Sequence, residues 1–161
     1  MAYNVVGNLG NTLNTTRCAF LAFNANTATN VTGDNTLYTC QFDTESFDQG
    51  SNFASNTFTA PVTGTYVFSY GFYVGNVGAG HTQGGFSFVA TSKLLYAWYG
   101  NLANVVTSNI NLVNGSCIVQ MTAGDTANCK ISVSGSTKTI SWVGGANLAA
   151  NPPYFGGYLL C

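Results

Sequence analysis

The chain has 161 residues, 46% of them hydrophobic and 14% aromatic, with a net charge of −1 at pH 7. Charged residues make up 6%, against about 25% in an ordinary soluble domain, so there is no basic footprint for nucleic acid, and no stretch approaches the roughly 18 apolar residues of a membrane helix. The polar surface must be built from Asn, Thr, Ser and Gln, and a surface so poor in charge has little protection against association, which suits a protein that lives in an assembly.

The first 17 residues, MAYNVVGNLGNTLNTTR, carry neither a basic n-region nor an apolar h-region. They are not a signal peptide. The reading is synthesis in a cytoplasm, or loss of whatever segment exported the chain, and 1–17 reads as an arm, disordered or pinned on a partner. Residues 18–161 read as one domain.

Residues 18–24 (CAFLAFN) form the first clear strand. A polar loop over 25–36 follows, with a turn at Thr32-Gly33-Asp34-Asn35, then a second strand over 37–42 and the segment 43–50. Residues 58–59 are a short strand before a corner at Pro61. Residues 65–74 are the most aromatic strand: Tyr66, Phe68, Tyr70 and Phe72 line one face, and Val67, Ser69, Gly71 and Tyr73 the other. Successive side chains of a strand point to opposite faces, so a strand apolar on both must be covered on both. One cover is an opposing sheet, and a neighbouring subunit is a candidate for the other.

Residues 75–85 are a Gly-rich loop holding His81. Strands follow at 86–90, 94–99 (LLYAWY), 105–113, 116–121, 126–133, 138–143 and 154–161, with a turn at Ala123-Gly124-Asp125. No apolar 3.6-residue period survives a full window. Eight to ten short strands with turn signals every 8–12 residues mean an all-β sandwich or jelly roll.

The chemical motifs are sparse. Asp43, Glu45 and Asp48 cluster after the second strand, yet no acid/base partner and no calcium loop motif accompany them; they read first as solvated or turn-capping carboxylates. His81 is the only histidine, so a Ser-His-Asp triad would have to use it, and no G-x-S-x-G elbow exists. The chain therefore reads as a non-enzyme. Cys18, Cys40, Cys117, Cys129 and Cys161 include no C-x-x-C pair and read as small buried hydrophobes. Tyr96, Trp98 and Tyr99 form the densest aromatic cluster outside the central strand and read first as core or subunit interface, second as a ligand site; with His81 they are the candidate ligand-facing residues, carried on loops 75–85 and 94–104.

The order of motifs resembles the C1q-like domains of the C1q/TNF superfamily. The carrying residues are Ala19-Phe20-Leu21-Ala22-Phe23, Phe42-Asp43-Thr44-Glu45, Gln49-Gly50-Ser51-Asn52, and Phe58-Thr59-Ala60-Pro61-Val62-Thr63-Gly64-Thr65-Tyr66-Val67-Phe68-Ser69-Tyr70. The late ones are Val119-Gln120-Met121, Ala123-Gly124-Asp125 and Tyr154-Phe155-Gly156-Gly157-Tyr158-Leu159-Leu160. The resemblance covers about 18–161. It implies a jelly roll of about ten antiparallel strands that forms a homotrimer, with the first, third, sixth and last long strands in the inner sheet along the three-fold axis. Tyr66, Phe68, Tyr70, Phe72, Tyr154, Phe155 and Tyr158 are then the residues of the trimer interface or core. It also makes the first and last strands neighbours, which brings Cys18 and Cys161 close. Some family members bind calcium near the axis; those ligands do not map onto this chain, so neither metal nor cofactor is carried over.

No collagen repeat and no signal peptide accompany the domain. The Asn/Thr/Gly-rich style with a short arm is similar to the C1q-like proteins of bacteriophages. The expectation is a homotrimeric virion protein, a capsid decoration or head-fibre protein attached to the major capsid or another virion protein through 1–17. The alternative is a glycan- or receptor-binding module of a tail fibre, or an extracellular lectin-like protein, that contacts a host surface glycan.

Overall fold

The computed structural model describes residues 18–104, 110–145 and 152–160. Among them are thirteen strands and one 3-10 turn, Leu102–Asn104. The first sheet runs β2 (Ala28–Thr32), β12 (Ile140–Trp142), β7 (Gly64–Gly75), β13 (Tyr154–Leu159), β1 (Ala19–Phe23), β4 (Thr44–Gln49), and β10 (Asn111–Met121) pairs along β7 as well. The second runs β5 (Phe53–Ala54), β6 (Thr57–Thr59), β11 (Thr126–Ser134), β8 (Gln83–Ala90), β9 (Lys93–Gly100), with β3 (Leu37–Thr39) also on β11. The pairings are antiparallel, as in hairpin and Greek-key chains. The first, third, sixth and last long strands, β1, β7, β10 and β13, do lie in one sheet.

The two-faced strand β7 is resolved by burial. Tyr66, Phe68, Tyr70 and Phe72 are all buried and point into the sandwich, while Val67 and Tyr73 are half-buried and Ser69 is exposed on the other side. The core between the sheets is a continuous aromatic stack. Phe68 lies 4.9 Å from Phe88 and 5.7 Å from Phe155, and Phe20 lies 4.8 Å from Phe53 and 5.0 Å from Phe155. Phe42 meets Trp142 edge-on at 5.8 Å, and the Trp142 indole N–H donates to the Gln41 carbonyl at 2.8 Å. Offset and edge contacts of this kind add to the area that large rings bury.

Several boundaries differ from the sequence reading. Residues 25–36 are not all loop, because β2 pairs Thr32 with Ile140 and Ala28 with Trp142. The expected strand over 37–42 is only Leu37–Thr39, since the chain must leave β11 to cross to the first sheet. Residues 44–49 are a strand at the sheet edge against β1. Residues 111–121 form a single strand, β10, where two were expected with a break near 114; the continuous β7 beside it holds all eleven residues in register. The expected start of that strand, 105–109, and the arm 1–17 lie outside the described residues.

Candidate functional site

The titratable residues do structural work. The Asp43 carboxylate accepts from the Ala25 N–H at 2.7 Å, from the Asn26 N–H at 3.2 Å and from the Asn26 amide at 2.6 Å. Partial burial pushes its pKa up, but the hydrogen bonds from Ala25, Asn26 and Thr44 outweigh this and hold it below the usual value. Asp48 accepts from the Asn52 and Phe53 N–H groups at 3.1 and 3.0 Å and so closes the turn that joins the two sheets. Turn capping is the role the sequence placed first for these carboxylates.

His81 departs from the sequence reading. The flanking glycines suggest a ligand-facing loop residue, yet His81 is buried, 2% exposed. Its Nδ1 accepts from the Gly78 N–H at 2.9 Å, which leaves Nε2 to donate to the Thr137 carbonyl at 3.3 Å. The ring pins the Gly-rich loop to the segment before β12. Among the described residues no group of three His, Cys, Asp or Glu gathers as a metal site. Cys40 and Cys129 are fully buried, and desolvation pushes both thiols well above their ordinary pKa. Cys161 lies outside the described residues, so its pairing with Cys18 does too.

Among the described residues, two sheet faces are left without a covering layer. The outer face of the first sheet carries exposed apolar side chains among Ser69, Asn114, Ser116 and Gln120. Register places Ala19, Tyr158, Val67 and Ile118 in one row and Phe47, Leu21, Gly156, Ser69 and Ser116 in the next. Phe47, Leu112, Ile118 and Tyr158 are each 45–63% exposed. The residues expected at the interface or core thus divide. Tyr66, Phe68, Tyr70, Phe72 and Phe155 fill the sandwich, while Tyr158 is exposed and Tyr154 half-buried on the outer face. A cleft of about 620 Å³ indents this face between Tyr73, Leu112, Asn114 and Tyr154. Gly71 is its floor: a Cβ there would lie 2.5 Å from the Tyr154 ring and 2.7 Å from the Asn114 side-chain oxygen, so only glycine lets the two close over β7.

The outer face of the second sheet holds a groove of about 460 Å³. Its floor is small, Gly85 and Ser87 of β8 beside Ser132 and Ser134 of β11. Its walls are Leu94, Tyr96 and Tyr99 on one side and Asn35 and Leu37 on the other. Strict alternation along LLYAWY puts Tyr96 and Trp98 on one face and Tyr99 on the other. The structure does otherwise. A bulge between Phe86 and Ser87 pairs Phe86 with Trp98 and Ser87 with Tyr96, so Ala97 is the extra residue. Tyr96 and Tyr99 therefore share the outer face, their rings 5.1 Å apart, both more than half exposed. Trp98 turns inward against Phe86 at 5.7 Å, so of the expected aromatic cluster it alone is a packing residue. A Cβ at Gly85 would lie 3.1 Å from Tyr96 and 3.3 Å from Tyr99, so the bare backbone is what lets both rings settle on β8. The amide of Gln83 donates to the Tyr99 hydroxyl. Gln83, Gly85, Leu37 and Lys130 were missed in the sequence. The signal that could have found the glycine is Gly84-Gly85 lying opposite an aromatic strand.

No protein-family model matches the sequence, and a comparison with curated proteins finds no match. Solved structures do match. The chain is similar to the globular domain of zebrafish complement 1qA protein, at 15% identity and a TM-score of 0.58, covering 90% of this chain and 98% of that one. It is similar to murine APRIL, at 13% identity and a TM-score of 0.56, over 90% of this chain and 100% of that one. At such identities the likeness is one of fold, and it extends over 90% of this chain: the chain has the jelly-roll fold seen in C1q and TNF-like domains.

Proposed function

We propose that the chain works as a non-enzymatic homotrimer, the building block of a larger particle. The observation that carries this is the set of exposed apolar side chains on the outer face of the first sheet. Phe47, Leu112, Ile118 and Tyr158 stand out of it at 45–63% exposure, with Leu21, Val67 and Tyr73 between them. Several large apolar side chains exposed on one sheet face favour an interaction site there, and a strand with apolar residues on both faces is suited to a second cover. A second copy of the same face supplies it, and the resemblance to C1q-like domains argues for three copies around an axis. The non-enzymatic reading is supported by the employment of the titratable side chains: Asp43 and Asp48 close turns and His81 is locked between two loops.

The particle we infer is a virion, in which 1–17 attaches the trimer to the major capsid protein or another virion protein as a decoration or head-fibre subunit. Support for this finer reading is the charge-poor composition, with 6% charged residues, and the short polar arm. Light scattering of the purified chain tests the trimer, which is expected at micromolar concentration; a monomer there refutes it. Deleting residues 1–17 tests attachment separately: particles that still bind the shortened trimer refute the role of the arm.

A further inference from the structure

The groove on the second sheet is on the far side of the sandwich from the proposed trimer face, so it stays open whether or not the chain trimerises. We propose that it binds an oligosaccharide, with Tyr96 and Tyr99 as the stacking platform and Lys130 favouring a sugar that carries an acidic group.

The chemistry of the lining is that of sugar recognition. A pyranose offers one apolar face of C–H groups and a rim of hydroxyls that both donate and accept. Tyr96 and Tyr99 present ring faces tilted 56° to each other, above a floor that has no side chain at Gly85. The polar groups at the rim keep unused valences. The Gln83 amide nitrogen is engaged with the Tyr99 oxygen, which leaves the Gln83 carbonyl to accept and the Tyr99 O–H to donate. The Ser132 hydroxyl donates to the Asn35 side-chain oxygen at 3.2 Å, which orients the Asn35 amide N–H groups to donate elsewhere. Lys130 is the charged side chain among the described lining residues, and no carboxylate stands beside it there. A carboxylate or sulfate on the ligand would neutralise it.

A peptide strand is a poorer fit. The floor strands β8 and β11 are hydrogen-bonded on both edges, β11 to β3 and β6 on one side and to β8 on the other, and β8 to β9. No backbone edge is offered at the floor for strand addition.

The test is a screen of the intact chain against neutral and carboxylated oligosaccharides at low salt, followed by titration calorimetry on the best binder. Acidic glycans are expected to bind. Tyr96→Ala and Tyr99→Ala should each weaken binding roughly tenfold, and Lys130→Gln about two- to fivefold, the range of an exposed charge pair. Both tyrosines are more than half exposed, so melting temperatures should hold. Should either truncation fold badly, Ser132→Trp plugs the groove from its floor and should abolish binding with both tyrosines in place. Ile118→Glu, on the opposite face, should leave the affinity per chain unchanged even if it dissolves the trimer, which separates this proposal from the reading of the first sheet. The proposal is overturned if no glycan binds, if binding ignores both tyrosine changes and the plug, if neutral sugars bind more tightly than acidic ones, or if Tyr96→Ala removes a self-association instead.

Discussion

Ile118→Glu is the sharpest probe of the trimer. Ile118 is 63% exposed on the outer face of β10, the strand that pairs with β7 alone among the described strands, directly opposite Val67, which is in turn opposite Tyr158. Full burial of an isoleucine side chain contributes about 1.5–3 kcal/mol, so covering the exposed two thirds gives roughly 1–2 kcal/mol per subunit and ~3–6 kcal/mol across three. Glutamate forfeits that and must leave water to remain in the interface, a further penalty of several kcal/mol per charge. The sum is on the order of 10 kcal/mol or more, large against a typical micromolar association of about 8 kcal/mol. In the isolated chain the site faces solvent, so the fold should survive. The expectation is a trimer for the natural chain and a folded monomer for the variant, read by analytical ultracentrifugation with far-ultraviolet dichroism as the control. If Ile118→Glu remains trimeric at micromolar concentration, the outer face of the first sheet is not the interface and the argument from its apolar exposure fails.

Three further expectations concern stability. Asp43→Asn should destabilise by about 1 kcal/mol at neutral pH, the scale of a lost cap. The folded-state pKa of Asp43 lies below its ordinary 3.8, so its contribution is present above that value and drains away as pH falls through the folded pKa; the melting-temperature gap between the two proteins should close below pH 3.8. Tyr38→Phe should stabilise by about 1 kcal/mol, because the Tyr38 hydroxyl is buried with no hydrogen-bond partner among the described residues; urea midpoints measure it, and a loss of stability would show that the hydroxyl is satisfied in solution. Cys40 and Cys129, buried with thiols held well above their ordinary pKa by desolvation, should resist iodoacetamide at pH 8 until urea unfolds the chain, as peptide mass spectrometry would record; labelling at the native-state rate of an exposed thiol would contradict their burial.

The fold was legible because its strands keep strict alternation and turn residues punctuate them. Residues 65–74 show two largely apolar faces in the sequence, and burial tells them apart: Tyr66, Phe68, Tyr70 and Phe72 pack inward, where Phe86 and Phe88 of the facing sheet meet Phe68, Tyr70 and Phe72 in stacked and tilted contacts. Edge strands were harder. β2 and β4 are short and polar, held by pairing with distant segments that no local pattern shows. At the site, composition singles out the cluster at 96–99, but alternation alone does not give the faces its rings take, because a single bulged residue resets the phase. His81 misled for a related reason. Its flanking glycines signal a loop, but a loop packed under β12 segments can bury its own histidine once both ring nitrogens find backbone partners.

The extra residue at Ala97 makes β9 a strand with two separately adjustable sides. Between Phe86–Trp98 and Ser87–Tyr96 the register slips by one, and a one-residue deletion there would restore regular pairing while leaving Trp98 inward and both tyrosines outward. Insertions and deletions ordinarily scramble a strand; at this position the sandwich would tolerate one. Variation in length at 97 would thus tilt or spread the tyrosine pair, and so reshape the groove, with Trp98 still packed inward against Phe86.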